Sequence, residues 1–408
     1  MKKSYWSGFL CGVLCTVVFA FIGVTAFQFA INHASQDEIS IQSTENTSSK
    51  ISTINVLAKV SLLQKYIDTF YLNDVDGKDL EDGIYKGILK GLDDPYSVYY
   101  TKKEYSSLQE STTGVYCGIG AYVTQDVKTG VITIVQPFEG GPADVAGILP
   151  NDIIYKIEGE EVTGEDLSEV VAMMKGKKGT KVSLTVVRDK KKLDFSVTRN
   201  EIEIPTVEYK MMDNKIGYIK VSEFDEITAE QFRKALDDLE KQNEKGLIID
   251  LRNNGGGRLT AVVDMLDRML PEGVIVSTKN KKGEGDTYSS TDEEKFVKPL
   301  AVLINGNSAS ASEVFAGAIQ DYGTGELIGT TSFGKGIVQT IFGLNDGTAV
   351  KLTTSEYFTP KGRNIHGKGL TPDVKVELKE ELKQKVTIEP KDDNQLQTAI
   401  KEVQKEMK

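Results

Sequence analysis

The chain has 408 residues, of which 39% are hydrophobic, so it is long enough to bury more than one core. Its net charge of -11 argues against nucleic-acid binding, because contact with phosphates needs a basic face. It contains 2 histidines and 3 cysteines, and only Cys117 lies outside the apolar N-terminal segment. The sequence therefore predicts no metal site, no internal disulfide in the body and no cofactor.

The N-terminal segment is predicted to anchor the protein in a membrane. Tyr5 to Ile31 carries no charge and exceeds the roughly 20 residues that cross a bilayer. Lys2 and Lys3 precede it, which predicts a cytoplasmic N-terminus and an extracytoplasmic body. A cleaved signal peptide is the alternative, although its apolar core is typically only about 7–15 residues long. We interpret residues 1–31 as a single-pass anchor and residues 32–50 as a flexible stalk.

Residues 51–113 show helical periodicity. Val56, Val60 and Leu63 recur at intervals of three and four residues. Turn-forming residues around Pro95 interrupt the pattern. This stretch is interpreted as a small helical segment that packs or dimerises.

Short strands with one helix are predicted over residues 114–200. Val131–Val135, Ile153–Ile157 and Val182–Val187 are apolar or β-branched runs typical of strands. The apolar stripe from Leu167 to Met174 indicates a helix. The segment is therefore expected to form a separate, β-rich domain.

The loop after residue 117 resembles the carboxylate-binding loop of PDZ domains. Its glycines let successive backbone N–H groups converge on an anion, and a bound peptide would add a strand to the sheet edge. Alone, the short motif is typical of any tight turn, but residues 140–159 match the same family in order. The resemblance predicts a PDZ domain that grips the C-terminal tails of proteins. The predicted donors and apolar contacts are Ile119, Gly120, Ala121, Leu167, Val170, Val171 and Met174.

Strand and helix patterns alternate over residues 201–378. Leu247–Leu251 and Leu300–Ile304 are continuous apolar runs, which predict a parallel sheet covered on both faces. Sites in such sheets lie at the carboxyl ends of strands. Two loops meet that condition, Arg252–Gly257 and Asn305–Ser310.

The predicted fold is therefore multidomain α/β. A membrane helix and a helical segment precede an inserted PDZ domain, and an α/β catalytic core with a parallel sheet follows. Residues 379–408 are charged and end in a predicted helix.

The segment Asn305–Glu313 follows a buried strand and opens a helix. A turn of small residues can hold a serine hydroxyl at a helix N-terminus, where N–H groups favour developing negative charge. Ser310 to Glu313 also fits an S-x-x-E capping box, which needs no catalysis. Taken alone, this segment leaves both interpretations open.

Lys335 lies between Gly334 and Gly336, ahead of an apolar strand. A lysine acts as a base only if burial lowers its pKa, and flanking glycines permit the tight backbone that would bring it inside. A solvated loop lysine is the alternative. Gln339 is placed to hydrogen-bond the amine and orient it, or it is an ordinary polar residue on a strand.

Together these segments closely resemble the carboxyl-terminal processing peptidases, also called tail-specific proteases, over about residues 52–400. The resemblance implies that Ser310 is the nucleophile and that Lys335 is its base. The spacing from Ser310 to Lys335 and to Gln339 agrees with the family pattern.

The motif Asp250–Gly257 also matches that family. Through it, the resemblance implies an oxyanion hole formed by the N–H groups of Gly256 and Ala311. It further implies a preference for small or apolar residues near the cleaved bond, a PDZ domain that gates access, and a possible homodimer.

The sequence thus predicts a membrane-anchored serine endopeptidase with a Ser-Lys dyad, acting on extracytoplasmic proteins with free, apolar C-terminal tails. A Ser-His-Asp triad would have to use His366. A catalytically idle PDZ scaffold would not need Ser310, Lys335 and Gln339 together.

Two further alternatives rest on single motifs. Ser332–Lys335 formally reads S-x-x-K, as in penicillin-recognising enzymes, but lacks the S-D-N and K-T-G partners. Gly255–Gly257 lacks the G-K-[ST] ending of a nucleotide-binding P-loop.

Overall fold

A computed structural model describes residues 51–291, 295–385 and 387–408. The predicted membrane segment Tyr5–Ile31 and the stalk over residues 32–50 lie outside the described residues. Within the described part, no helix is both long enough and apolar enough to cross a membrane.

The chain divides into two compact units, and the first ends at Val75. Its described residues form helix α1 (Thr53–Phe70), which confirms the helical periodicity of this stretch. Apolar side chains of α1, among them Leu57, Leu63 and Phe70, are exposed. The second unit, Asp76–Lys408, contains every site considered below.

The second unit combines helices with several sheets. Its described α-helices are α2 (Gly77–Lys90), α3 (Lys102–Thr113), α4 (Pro142–Val145), α5 (Leu167–Met174), α6 (Thr228–Lys241), α7 (Leu259–Asp267), α8 (Ala311–Tyr322) and α9 (Asn394–Glu406). Short 3₁₀ helices are Asp213–Lys215 and Glu380–Leu382. Its described strands are β1 (Val98–Tyr100), β2 (Val115–Gly118), β3 (Ala121–Gln125), β4 (Ile132–Pro137), β5 (Ile153–Ile157), β6 (Glu160–Glu161), β7 (Lys181–Arg188), β8 (Lys191–Thr198), β9 (Asn200–Glu203), β10 (Val207–Met211), β11 (Ile216–Val221), β12 (Gly246–Asp250), β13 (Gly273–Asn280), β14 (Thr287–Ser290), β15 (Leu300–Ile304), β16 (Glu326–Gly329), β17 (Ile337–Gly343), β18 (Ala349–Phe358) and β19 (Val374–Lys375).

A six-stranded sheet forms the centre of the α/β part, in the order β10-β11-β12-β15-β16-β19. In this sheet, β11, β12, β15, β16 and β19 pair in parallel, whereas the edge strand β10 runs antiparallel to β11. Every residue of β12 and β15 is buried. The predicted parallel sheet is therefore confirmed, with one antiparallel edge strand added.

Helices cover both faces of this sheet. Because side chains alternate along a strand, Ile249 packs on the face covered by α6, α7 and α8, whereas Ile248 packs on the other face. Leu396 and Val403 of α9 cover that second face. The sheet thus has an apolar layer on each side, as continuous apolar strands predict.

A second, antiparallel sheet was not predicted from the sequence. It contains β1, β18, β13 and β14, with β17 also paired to β18. Val98–Tyr100 pairs with Ala349–Lys351, although the two segments are far apart in the chain. This sheet carries β17, the strand that directly follows Lys335.

Residues 121–198 form a separate sheet in the order β3-β4-β5-β7-β8, with the short β6 beside β5. Helix α5 packs on it through Val170 and Met174, and these residues share one apolar core with the strands. Strands β2 and β9 pair as an antiparallel ribbon through which the chain enters and leaves this domain.

Candidate active site

The two loops that follow β12 and β15 lie side by side. Because these strands are parallel neighbours, their carboxyl ends meet at one edge of the sheet. The Asn254 carbonyl accepts hydrogen bonds from the Ala309 N–H at 3.0 Å and the Ser312 hydroxyl at 2.9 Å. The Ser308 hydroxyl donates to the Leu251 carbonyl at 2.8 Å. These bonds fix the segment that leads into Ser310.

Ser310 has a strained backbone at the start of α8. Its φ of 57° and ψ of -115° differ from the extended conformation usual for a helix N-cap. Such a conformation costs a non-glycine residue about 1–3 kcal/mol, and it persists only where the surroundings enforce it. Ser310 lines a cavity of about 540 Å³.

The buried Glu313 carboxylate joins the Ser310 turn to the Lys335 loop. Its Oε2 accepts from the N–H groups of Ser310 at 2.9 Å and Lys335 at 2.8 Å. Its Oε1 accepts from the Gly334 N–H at 2.7 Å and the Ser332 hydroxyl at 2.5 Å. The S-x-x-E spacing signals only the contact with Ser310. Sequence reasoning therefore missed Glu313 as a residue that holds both loops.

Lys335 lines the same cavity as Ser310, but its amine points elsewhere. The Nζ atom lies 4.6 Å from the centroid of the Tyr96 ring. Among the described residues, no hydrogen bond joins Lys335 Nζ to Ser310 or Gln339. Burial lowers the pKa of Lys335, as does the charge of Lys351, against the opposing influence of the Asp94 and Glu313 carboxylates.

Gln339 contacts the second sheet rather than Lys335. Its Nε2 donates to the Thr353 hydroxyl at 3.4 Å. The Thr353 N–H donates to the Ser97 hydroxyl at 3.0 Å, which in turn donates to Asp94 Oδ2 at 2.6 Å. This chain of bonds connects Gln339 to the segment that carries Tyr96.

The two predicted oxyanion donors differ in their present contacts. Gly256 has a φ of 105°, and an added Cβ there would lie 2.7 Å from the Ala309 carbonyl oxygen, so only glycine fits. Its N–H donates to Asn254 Oδ1 at 2.8 Å. Within the described part of the chain, the Ala311 N–H has no acceptor. One donor is thus free, and the other is engaged by a neighbouring side chain.

Comparison with known proteins identifies the family. The model of peptidase family S41 matches residues 215–376, a PDZ domain model matches residues 133–188, and the model of the activating protease CtpB N-terminal domain matches residues 17–104. The carboxy-terminal processing protease CtpA of Bacillus subtilis is 40% identical, over 78% of this chain and 69% of the relative. CtpB of the same organism is also 40% identical, over 78% of this chain and 67% of the relative. A probable CtpA-like serine protease of Staphylococcus saprophyticus is 35% identical, over 88% and 70%.

This chain belongs to the carboxy-terminal processing proteases. It is a serine-type peptidase with a PDZ domain and a family S41 core, as the sequence resemblance implied. The helical part before the PDZ domain also matches the family.

The PDZ domain of this processing protease has an apolar groove of about 240 Å³. Of the predicted contacts, Ile119, Ala121, Val171 and Met174 line it. Val170 is instead fully buried in the domain core, and Leu167 packs partly buried against that core. Gly120 has a φ of 72°, as the predicted anion-binding turn requires.

Tyr116 also lines the groove, which no sequence motif indicated. Burial raises the pKa of Tyr116, although the nearby N–H groups of Ala121 and Gly120 favour the ionised phenol. The hydroxyl therefore lies beside two of the N–H groups predicted to receive a peptide carboxylate.

The rival motifs do not resemble working sites in the protease. His366 is exposed and is not among the residues that line the Ser310 cavity. Ser332–Lys335 is not helical, and the Ser332 hydroxyl is engaged by Glu313. The helical turn that an S-x-x-K serine needs is therefore lacking in this segment.

Proposed function

We propose that this processing protease is an endopeptidase that uses Ser310 as nucleophile and Lys335 as general base. The observation that carries the proposal is the Glu313 carboxylate, which accepts hydrogen bonds from the backbone N–H of both residues. A shared buried acceptor fixes the nucleophile and base loops relative to each other. The strained turn at Ser310 and the lowered pKa of Lys335 support the same assignment.

In the proposed mechanism, neutral Lys335 takes the proton of the Ser310 hydroxyl while Ser310 attacks the peptide carbonyl. Lys335 then protonates the leaving amine, and water hydrolyses the acyl-enzyme. The Ala311 N–H, which is free of other acceptors, stabilises the oxyanion together with the Gly256 N–H. Gly256 must first exchange its bond to Asn254 Oδ1 for one to the substrate.

The present arrangement supports a resting conformation. The Lys335 amine lies over Tyr96, and Gln339 donates to Thr353. We propose that substrate binding brings Lys335 to Ser310 and allows Gln339 to orient the amine. Movement of the PDZ domain is the proposed trigger, as the family resemblance implies.

The proposed substrates are proteins with free, apolar C-terminal tails. The apolar groove of the PDZ domain, with backbone N–H groups at its glycine turn, supports this class. We also propose that residues 1–31 anchor the enzyme in a membrane with its body on the extracytoplasmic side. A homodimer is proposed from the family resemblance.

The test is degradation of an unstructured protein with an apolar C-terminus by the full-length chain in detergent. Ser310→Ala and Lys335→Ala serve as variants, and a substrate with an amidated C-terminus serves as the control for tail recognition. We expect cleavage by the wild type, loss of at least about 10³-fold in turnover in both variants, and slower cleavage of the amidated substrate. Equal cleavage by Ser310→Ala would refute the nucleophile. If the full chain binds the tail but does not cleave the substrate, and deletion of the PDZ domain does not allow cleavage either, a binding scaffold would be favoured instead.

A further inference from the structure

Two acidic residues line the cavity that contains Ser310, namely Glu223 and Asp225. Phe224 between them is fully buried and forms a β-bridge with Gly257. Glu223 and Asp225 flank this bridge and line the cavity from the segment beside the Gly256 loop.

This acidic segment is tied directly to the loop that packs on Ser310. The Phe224 N–H donates to the Gly256 carbonyl at 3.0 Å, and the Arg258 N–H donates to the Phe224 carbonyl at 2.6 Å. An added Cβ on Gly256 would lie only 2.8 Å from Ser310 Cβ. The Gly256 loop thus contacts both the acidic segment and Ser310, and the two acids line the same cavity as the serine.

The side chain of Asp225 is largely covered, although its carboxylate oxygens keep contact with solvent, and it has no partner in the described part of the chain. Its exposure is 4%, and no hydrogen bond or ion pair reaches its side chain from any residue that the structure describes. Burial of an unpaired carboxylate is costly, and proteins normally pair such groups. Burial and repulsion by Glu223 raise the pKa of Asp225 to about 6, against a smaller opposing influence of Arg258.

Neighbouring cations do not neutralise this pair. Arg258 forms its ion pair with Glu226, at 3.3 Å, and acts on Asp225 only from a distance. The other cations of the cavity are Lys335, whose amine lies over Tyr96, and Lys351, which lies over the Tyr100 ring at 5.4 Å. Glu223 and Asp225 therefore line the cavity with no counter-charge in contact from the residues that the structure describes.

We propose that Glu223 and Asp225 form a subsite that binds the cationic side chain of a lysine or arginine in the substrate, close to the bond that Ser310 cleaves. The proposal rests on the proposed function, since it takes Ser310 as the reacting residue. The cavity also presents Leu108, Leu259 and Val338, which can receive the apolar stem of a lysine while its ammonium meets the acids. A substrate cation would supply the partner that Asp225 lacks.

The test measures binding separately from turnover. The full-length chain in detergent carries Ser310→Ala, so that peptides bind without being cleaved. The probes are C-terminally amidated nonapeptides of alanine and valine with either lysine or methionine at one position, which is moved along the peptide. Amidation removes the carboxylate that the PDZ loop would bind. Fluorescence anisotropy gives Kd for each pair, with and without Asp225→Asn, Glu223→Gln or the control Glu230→Gln.

At one position or two adjacent positions, we expect lysine to bind about 10- to 100-fold tighter than methionine. Asp225→Asn should abolish this preference, and Glu223→Gln should reduce it. Glu230 is exposed on the first turn of α6, outside the cavity, so Glu230→Gln changes the net charge equally and should keep the preference. Because Glu223 is exposed, Glu223→Lys serves as a second variant that should reverse the preference even if Asp225→Asn fails to fold.

Equal affinity for the lysine and methionine peptides at every position would overturn the subsite. A preference that survives both Asp225→Asn and Glu223→Lys would overturn it as well. The enzyme with Ser310 intact is assayed for cleavage in parallel. If it cleaves nothing while the lysine preference is present and depends on Asp225, the subsite stands as a binding site and the catalytic proposal fails.

Discussion

The protease contains two turns whose backbone N–H groups are suited to receive an anion, and they are built differently. In the PDZ loop, the positive φ of 72° falls on Gly120, which adopts it without strain. In the Ser310 turn, a φ of 57° falls on a non-glycine residue, and the bonds of Glu313 and Asn254 enforce the conformation. The predicted binding turn is therefore relaxed, whereas the Ser310 turn is strained and fixed by buried groups.

The largest effect is expected from a variant that weakens the buried Glu313 carboxylate, which holds the Ser310 turn. Glu313→Gln keeps the shape of the side chain but has one acceptor oxygen in place of two. Either the N–H groups of Ser310 and Lys335, or the Ser332 hydroxyl and the Gly334 N–H, then lose their acceptor. Because a hydrogen bond to a charged group contributes about 1.5–3 kcal/mol, we expect kcat/KM to fall at least 100-fold and thermal stability to drop. Kinetics and thermal unfolding measure both.

Ser310→Ala is the control for that experiment, since it should abolish activity while it leaves the Glu313 bonds and the melting temperature nearly unchanged. If Glu313→Gln cleaved substrate at the wild-type rate, the shared carboxylate would not position the dyad.

A smaller effect is expected at the binding turn. Tyr116→Phe removes the hydroxyl that lies beside the N–H groups of Gly120 and Ala121. A peptide carboxylate then no longer competes with it, so affinity for a free apolar tail should rise about 3- to 10-fold. Anisotropy with a tail peptide in the Ser310→Ala background measures this. The amidated peptide should show no gain, and an equal gain for both peptides would refute the idea.

The pH dependence of cleavage tests the environment of the base. The charge of Lys351 disfavours protonated Lys335, so Lys351→Met should raise the pKa of Lys335. Since neutral Lys335 is the proposed base, the rising limb of the pH–rate profile should move to higher pH, and activity at pH 7 should fall on the order of threefold.

Asp94 has the opposite influence on Lys335, so Asp94→Asn should move the same limb to lower pH. A shift in the same direction for both variants would exclude Lys335 as the titrating base.

The smallest effects are expected from variants that change the backbone strain of the two turns. Ser310→Gly relieves the strained φ and should stabilise the protein by about 1 kcal/mol while abolishing activity. Gly120→Ala should destabilise it by a similar amount, because φ is positive there and the new Cβ would lie 3.1 Å from Ile202. Chemical denaturation of both variants measures the pair. The changes in the free energy of unfolding are expected to be similar in size and opposite in sign. Destabilisation by Ser310→Gly would show that the serine turn is not strained.

Local patterns in the sequence were sufficient for much of the fold. The strand Leu300–Ile304 and the helix Ala311–Tyr322 lie where their apolar patterns place them, and the flanking loop follows from parallel pairing. The second sheet was missed because Val98–Tyr100 pairs with Ala349–Lys351, and no local periodicity reports a pairing across that separation.

The site shows the same limit. Motif spacing identifies Ser310 and Lys335 as candidates, and the structure brings both to one cavity. Motif spacing does not reveal that the Lys335 amine lies over Tyr96 or that Glu313 accepts from the Lys335 loop, since both contacts depend on chain segments that meet only after folding. The unpaired state of Asp225 is likewise a property of its surroundings rather than of its sequence.

The antiparallel ribbon of β2 and β9 determines how the PDZ domain is connected to the peptidase. Gly118 pairs directly with Asn200, so the PDZ domain leaves the peptidase from two points that a tight two-residue turn could bridge. The strands between these two residues, β3 to β8, all belong to the PDZ sheet, so the intervening residues contribute no strand to the peptidase sheets. The PDZ domain is thus an insertion with its own apolar core, and both of its ends lie at one pair of residues.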